Sequence, residues 1–149
     1  MTSQESVYRS LFPGNLLVAS PRHPSHRISL QGAWEPPQDG LDAWARSFGR
    51  PAELPAGERI ELVIVASRPV LESVMLNDRP VIWAELAVAG AGTVCGRCDV
   101  TENLERRNDL ELRAIPSLID APNGRRGPLP DGVARVWLEI RGLVSVDHP

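Results

Sequence analysis

The sequence predicts an all-β fold, an antiparallel β-sandwich, and three observations lead to this prediction. The 149 residues include 14 prolines and 12 glycines, which favours short strands and many turns over long helices. Short apolar runs recur at regular spacing, and several alternate with polar residues as half-buried strands do. Polar turn residues, such as Asn77-Asp78, separate successive runs. A chain of this length can form one domain with a two-layer core.

The predicted domain covers 27–149, and 1–26 is an irregular N-terminal segment that we expect to pack on it. A short apolar run at 16–19 could form an edge strand. In the first strand of the domain, Ile28 and Leu30 point to one face. The pattern at 57–66 is that of a fully buried central strand. Further strands are predicted at 70–76, 81–88, 93–100, 110–115 and 134–141.

Three segments between these strands carry other signals. Residues 41–48 could form one or two helical turns, with Asp39 or Asp42 as the N-cap. Asp99 and Glu102 have the spacing of a capping box. The stretch 116–132 is rich in proline, glycine and arginine, and a loop of this length usually either has a function or crosses between sheets.

Composition excludes two classes of function and suggests a compartment. The net charge is −3, so the chain lacks the basic surface of a general nucleic-acid binder. The apolar runs are too short to span a bilayer, and the N-terminus has no secretory signal. We therefore expect a cytoplasmic protein with no membrane partner. Two cysteines in a reducing compartment are expected to be free thiols.

Four sequence elements, in a fixed order, resemble a known family. They are Leu30-Gln31-Gly32-Ala33-Trp34, then Val74-Met75-Leu76-Asn77-Asp78, then the segment from Asp99 to Leu110, then Gly132-Val133-Ala134-Arg135-Val136-Trp137-Leu138-Glu139. Together they resemble the jelly-roll sugar-binding domain (galactose-binding-like) of family 2 glycoside hydrolases, over roughly 27–141. The resemblance implies a jelly-roll β-sandwich. The catalytic barrel of that family, typically about 250 residues long, has no counterpart in this sequence.

The resemblance therefore implies a stand-alone, non-catalytic carbohydrate-binding-like module with an oligosaccharide ligand. The sequence contains no nucleophile–histidine–acid set, phosphate-binding loop or dinucleotide fingerprint, so we expect neither an enzyme nor a cofactor. The alternative is a protein–protein interaction or scaffold domain, which could be a homo-oligomer, that keeps the jelly roll without binding sugar.

Tryptophans are the first candidates for a sugar site, because indole faces pack against apolar surfaces such as those of pyranose rings. Trp34 matches a buried residue of the family, and we expect it in the core. Trp44 could be either core or surface. Trp83 and Trp137 fall opposite the main apolar sets of their strands. If exposed, they would form a carbohydrate platform or a protein-contact patch; the alternative is that a loop or helix covers them.

The candidate ligand-binding set is Trp83, Trp137, Trp44, Glu85 and Arg135. Glu85 and Arg135 belong to it because strand alternation places each on the same face as a neighbouring tryptophan. The prediction of a site at Trp83 and Trp137 fails if both are buried.

Other reactive residues have a structural interpretation. Cys95 and Cys98 form a C-x-x-C motif, but residues three apart on a strand point to opposite faces, so we expect structural thiols with Cys98 in the core. His23 and His26 lack the further ligands of a zinc site, and no metal is predicted. We expect the polar residues Asn77, Asp78, Asp99 and Thr101 to have turn or capping roles. We expect Arg125 and Arg126 to lie in a solvated loop.

Overall fold

Two antiparallel β-sheets packed face to face form the fold, which confirms the all-β sandwich. The computed structural model describes residues 26–37, 43–52, 54, 56–113 and 126–142. The elements are β1 (His26–Ser29), β2 (Ala43–Gly49), β3 (Arg59–Ala66), α1 (Arg68–Leu71), β4 (Val74–Leu76), β5 (Arg79–Pro80), β6 (Glu85–Gly90), β7 (Thr93–Asp99), β8 (Arg107–Arg113) and β9 (Ala134–Arg141). None of the helices in these ranges is both long and apolar enough to cross a membrane.

The larger sheet has five strands in the order β1-β9-β3-β7-β6, and the smaller has four in the order β2-β8-β4-β5. Every strand pair is antiparallel. β3 lies in the middle of the larger sheet, as the apolar run at 57–66 predicts. β9 has the bounds that its alternation predicts.

The core lies between the sheets and is built from alternate residues of the strands. Leu62 of β3 and Leu138 of β9 are register partners, and both are buried in the same core as Leu110 and Leu112 of the smaller sheet. Trp34 is fully buried, and its indole N–H donates to the Leu30 carbonyl at 2.6 Å, which confirms it as a core residue. A buried indole needs such an acceptor because an unpaired N–H in the core is costly.

The helical turns predicted at 41–48 are wrong, because Ala43–Gly49 is strand β2. Trp44 and Phe48, four residues apart, are both buried, and this spacing fits one face of a strand as well as one face of a helix. Seven backbone register pairs with β8 decide in favour of the strand. The proposed caps Asp39 and Asp42, like the run at 16–19, lie outside the described residues.

Two predicted strands begin later than expected. The segment 70–76 starts in the short helix α1, which has a proline in its first turn, where proline is tolerated, and only Val74–Leu76 is strand. The segment 81–88 becomes strand only at Glu85. Its first residues are out of phase with the predicted alternation: Ile82 is 82% exposed, whereas Trp83 packs against the core.

The turn at Asn77-Asp78 is confirmed and joins β4 to β5. Both residues have positive φ, 52° and 65°, as a two-residue hairpin turn of this type requires. The Asn77 side chain also accepts from the Asp109 amide at 2.8 Å and donates to the Asn108 side chain at 2.9 Å. The turn is therefore tied to the neighbouring strand β8.

Asp99 stabilises a turn after β7, but the predicted capping box does not form. Its carboxylate accepts from the Thr101 amide at 2.9 Å and from the Thr101 hydroxyl at 2.6 Å. Glu102 instead lies 3.8 Å from Arg59 in an exposed ion pair. Burial opposes ionisation of Asp99, but the bonds from Thr101 and Arg59 outweigh it and lower its pKa.

Candidate functional site

The surface of the larger sheet that faces away from the core, here called the outer face, contains the candidate binding groups: several charged side chains and a tryptophan. Register places its residues in cross-strand rows. One row is Arg27 (β1), Glu139 (β9), Glu61 (β3) and Asp99 (β7); the next is Ser29, Trp137, Val63, Arg97 and Glu85 (β6). Arg135 and Cys95 share the third row with Val65. Cations, anions and one tryptophan are thus side by side on one sheet surface.

Glu139 lies at the centre of the outer face, and its side chain is 0% exposed. It accepts hydrogen bonds from the indole N–H of Trp137 at 2.7 Å, Arg97 at 2.8 Å, Arg141 at 2.6 Å and Arg27 at 3.0 Å. Burying a carboxylate is costly unless it is paired and hydrogen-bonded. These four donors meet that requirement and hold the surrounding side chains in place.

Glu61 is the direct register partner of Glu139, a like-charge pair that would be unfavourable alone. Arg97 lies 3.3 Å from Glu61 and 2.8 Å from Glu139, and Arg141 also contacts both carboxylates. Burial opposes ionisation of Glu139, but the bonds from Trp137, Arg97 and Arg141 outweigh it and lower its pKa from 4.5 to about 2. Glu139 is therefore a permanent anion at neutral pH, not a proton donor.

Trp137 is half-buried, and its ring orientation is fixed by the bond to Glu139. The guanidinium carbon of Arg27 lies 4.7 Å from the ring centroid, and that of Arg135 lies 5.9 Å from it. Both distances are within cation–π range. Arg135 is exposed, and among the described residues its guanidinium interacts with the Trp137 ring alone, so its N–H donors remain available.

Trp83 lies on the opposite side of the same sheet. Its ring covers Gly96, whose register partner Ile64 is a core residue. Its indole N–H donates to the Leu71 carbonyl at 2.9 Å. Trp83 and Trp137 therefore do not share a face: Trp83 packs at the edge of the core, whereas Trp137 faces outward. The prediction of one platform formed by both tryptophans is wrong.

The other three residues of the candidate ligand-binding set also divide between the core and the outer face. Trp44 is 4% exposed and packs in the core, which removes it from any surface site. Glu85 and Arg135 are on the outer face with Trp137, as alternation predicts for Arg135. Glu85 is three strands away from Trp137, roughly 14 Å at the usual strand spacing. One sugar ring could not contact both residues, but an oligosaccharide could.

Sequence reasoning missed the residues that organise the outer face. Strand alternation groups Glu139 with Arg135, Trp137 and Arg141, and this was the available signal. The signal was incomplete because Arg27 and Arg97 come from other strands. Only the strand order brings them to Glu139.

Cys95 and Cys98 are free thiols on opposite sides of β7, as their spacing predicts. Cys98 pairs with Leu62 and packs against the core, whereas Cys95 pairs with Val65 on the outer face. Burial raises the pKa of both thiols, which keeps them protonated at neutral pH. Within the described ranges, no three His, Cys, Asp or Glu side chains converge as metal ligands would. His26 is exposed at the start of β1, and His23 lies outside these ranges.

The outer face can bind through guanidinium donors and part of an indole ring, both held on rigid strands. Comparisons of the chain with protein-family models, with curated proteins and with solved structures found no match. The geometry of this face is therefore the basis for a functional argument.

Proposed function

We propose that this chain is a non-catalytic carbohydrate-binding-like module whose ligand surface is the outer face around Trp137. One observation supports this most directly: Trp137 is partly exposed, locked by its bond to Glu139 and flanked by Arg27 and Arg135. A ring that is already fixed loses little entropy when a ligand packs on it. Aromatic rings with adjacent hydrogen-bond donors are the usual elements of an oligosaccharide surface.

The arginines supply the polar part of this surface. Arg135 has unused N–H donors, and Arg27 remains 55% exposed although one nitrogen is bonded to Glu139. Sugar hydroxyls could accept from both. Carbohydrate as ligand class, and a galactose-binding-like jelly roll as the strand connection, come from the family resemblance. Free thiols suit a reducing cytoplasm, which is the location we propose.

The test is a calorimetric titration with neutral and acidic oligosaccharides, using the unmodified chain, Trp137→Ala and Arg135→Gln. Arg107→Gln is the matched control, because Arg107 is an exposed arginine of the smaller sheet. Saturable binding that is lost in W137A, weakened in R135Q and kept in R107Q would support the proposal. The proposal fails if no oligosaccharide binds, or if folded W137A binds as well as the unmodified chain.

A second candidate is a protein–protein interaction or scaffold domain, and a different observation favours it. Ile82 is 82% exposed and Val88 is 47% exposed, and both lie in or next to β6. β6 is an edge strand of the larger sheet among the described residues, and edge strands can pair with another chain. A partner at this edge would cover apolar side chains that water now contacts.

Light scattering over a range of protein concentrations tests the second candidate. A homo-oligomer that Ile82→Ser and Val88→Ser convert to a monomer would support it, with Trp137→Ala leaving the mass unchanged. A monomer at every concentration would remove self-association and leave only a heterologous partner for this edge.

A further inference from the structure

We propose that Arg46 and Arg126 form a binding site for a small oxyanion, a carboxylate or phosphate group, beside the backbone at 32–35. This site is separate from the outer face, because Arg46 belongs to β2 of the smaller sheet. It does not depend on the carbohydrate proposal.

Two backbone bridges bring the arginines together. Glu35 exchanges hydrogen bonds with Ala45 at 2.7 and 3.0 Å, which aligns the segment 32–35 with β2 next to Arg46. Trp34 exchanges hydrogen bonds with Gly127 at 2.7 and 3.0 Å, which places Arg126 on the same segment. The two side chains thus converge from different parts of the chain.

Each guanidinium is anchored to a carbonyl of this segment. Arg46 donates to the Gly32 carbonyl, and Arg126 donates to the Ala33 carbonyl at 3.5 Å. Ala33 has a φ of 65°, a left-handed conformation that is uncommon for a residue with a Cβ. Such conformations persist only where surrounding contacts enforce them, and they concentrate at functional sites.

The charges of this pair are not balanced. Arg46 has no carboxylate within ion-pair distance in the described structure, and its Nε–H is buried without a hydrogen-bond partner. Burial and the nearby charge of Arg126 both lower the pKa of Arg46. Among the described residues, Arg126 has one acidic neighbour, Glu35, at 3.8 Å. Two guanidiniums therefore share one carboxylate at this place, which leaves a net positive charge among the described residues.

An oxyanion would offset this imbalance of charge. It would accept from the donors of Arg126, whose side chain is 64% exposed, and neutralise the repulsion between the two guanidiniums, with Arg46 contributing its charge from the more buried side. The planar guanidinium fork matches carboxylate and phosphate oxygens, which is why arginine is the common residue at such sites.

The experiment follows the arginine Nε–H signals by NMR during titration with inorganic phosphate, and separately with acetate, at constant ionic strength and neutral pH. We expect the Arg46 signal to shift saturably with at least one anion, and the same anion to raise Tm by linkage. A response to phosphate alone or to acetate alone identifies the preferred group. The absence of a saturable shift with both anions would overturn the proposal.

Variants locate the site and separate it from the carbohydrate surface. Arg126→Gln should weaken binding by about tenfold, as expected for loss of one charged hydrogen bond, and Arg46→Gln should abolish it. Arg107→Gln and Trp137→Ala should bind as the unmodified chain does. Unchanged affinity in R126Q would overturn the proposal, and this variant remains informative if R46Q does not fold, because Arg126 is exposed.

Discussion

Glu139 shows how one buried side chain can organise a surface. Its carboxylate is inaccessible to water, yet it is ionised because an indole N–H and three guanidiniums donate to it. The same bonds that stabilise the charge fix the position of Trp137. Stability and the proposed binding surface therefore depend on a single residue.

We expect Glu139→Gln to lower the free energy of unfolding by about 3 kcal/mol, in the range measured when one partner of a buried ion pair is removed. Glutamine keeps the size but leaves Arg97 and Arg141 with Glu61 as their one shared anion among the described residues. Urea denaturation at neutral pH measures the change. Glu105→Gln is the control, because Glu105 is exposed. Equal losses in the two variants would contradict the central role of Glu139.

Gly96 is the second residue on which local packing depends. A Cβ at this position would lie 2.8 Å from Cε3 and 2.9 Å from Cδ2 of Trp83, closer than real contacts allow. We expect Gly96→Ala to destabilise the fold by about 1–3 kcal/mol, because the ring must move away from its acceptor at Leu71.

Thermal unfolding of the two variants would measure this effect. Gly32→Ala is the matched control, because a Cβ there meets no atom within 4 Å. If G96A melts at the same temperature as G32A, the close packing of Trp83 on β7 would be disproved.

At the scale of elements, the β4–β5 hairpin follows directly from its turn residues. Asn77 is held by bonds to Asp109 and Asn108, whereas Asp78 is exposed and has a φ of 65°. Glycine adopts this conformation without steric cost, and Asn-Gly is the preferred pair for this turn.

We therefore expect Asp78→Gly to stabilise the protein by roughly 0.5 kcal/mol, since relief of the left-handed strain exceeds the added freedom of the unfolded chain. Asp78→Ala keeps the Cβ and should not stabilise. Paired urea titrations would measure the difference between the two variants. A lower stability for D78G than for D78A would show that the added freedom of the unfolded chain outweighs the relief of left-handed strain, and would contradict the prediction.

The strict alternation of β9 predicted its bounds accurately, whereas the mixed pattern of β2 did not predict a strand. β9 alternates strictly from Ala134 to Arg141, and the predicted and observed bounds agree. In β2, Trp44 and Phe48 are four apart, a spacing that helices and strands share. The partner strand β8 resolves that ambiguity, and no single segment contains this information.

At the scale of the whole molecule, lowered carboxyl pKa values make stability depend on pH. The pKa of Glu139 falls from 4.5 to about 2 on folding, so the unfolded chain binds the proton more tightly. The stabilisation is complete above pH 4.5 and is lost as the pH falls toward 2. Asp99, whose pKa is also lowered, acts in the same direction.

We expect the free energy of unfolding to fall by about 3 kcal/mol between pH 6 and pH 2 on account of Glu139, from the difference in pKa. Urea midpoints measured across this range would show the decline. Glu139→Gln should have a shallower decline over the same interval. A parallel curve for E139Q would mean that other carboxyls cause the acid sensitivity.

The sequence by itself determined the fold class, the central strand β3, the last strand β9 and the turn at Asn77-Asp78. These depend on local patterns, such as hydrophobic period and turn chemistry, that neighbouring residues contain. The tertiary structure decided that Trp83 faces inward and Trp137 outward, and that Arg27, Arg97 and Arg141 meet at Glu139. It also brought Arg46 to Arg126. These juxtapositions depend on strand order and register, which are set by contacts between residues far apart in the chain.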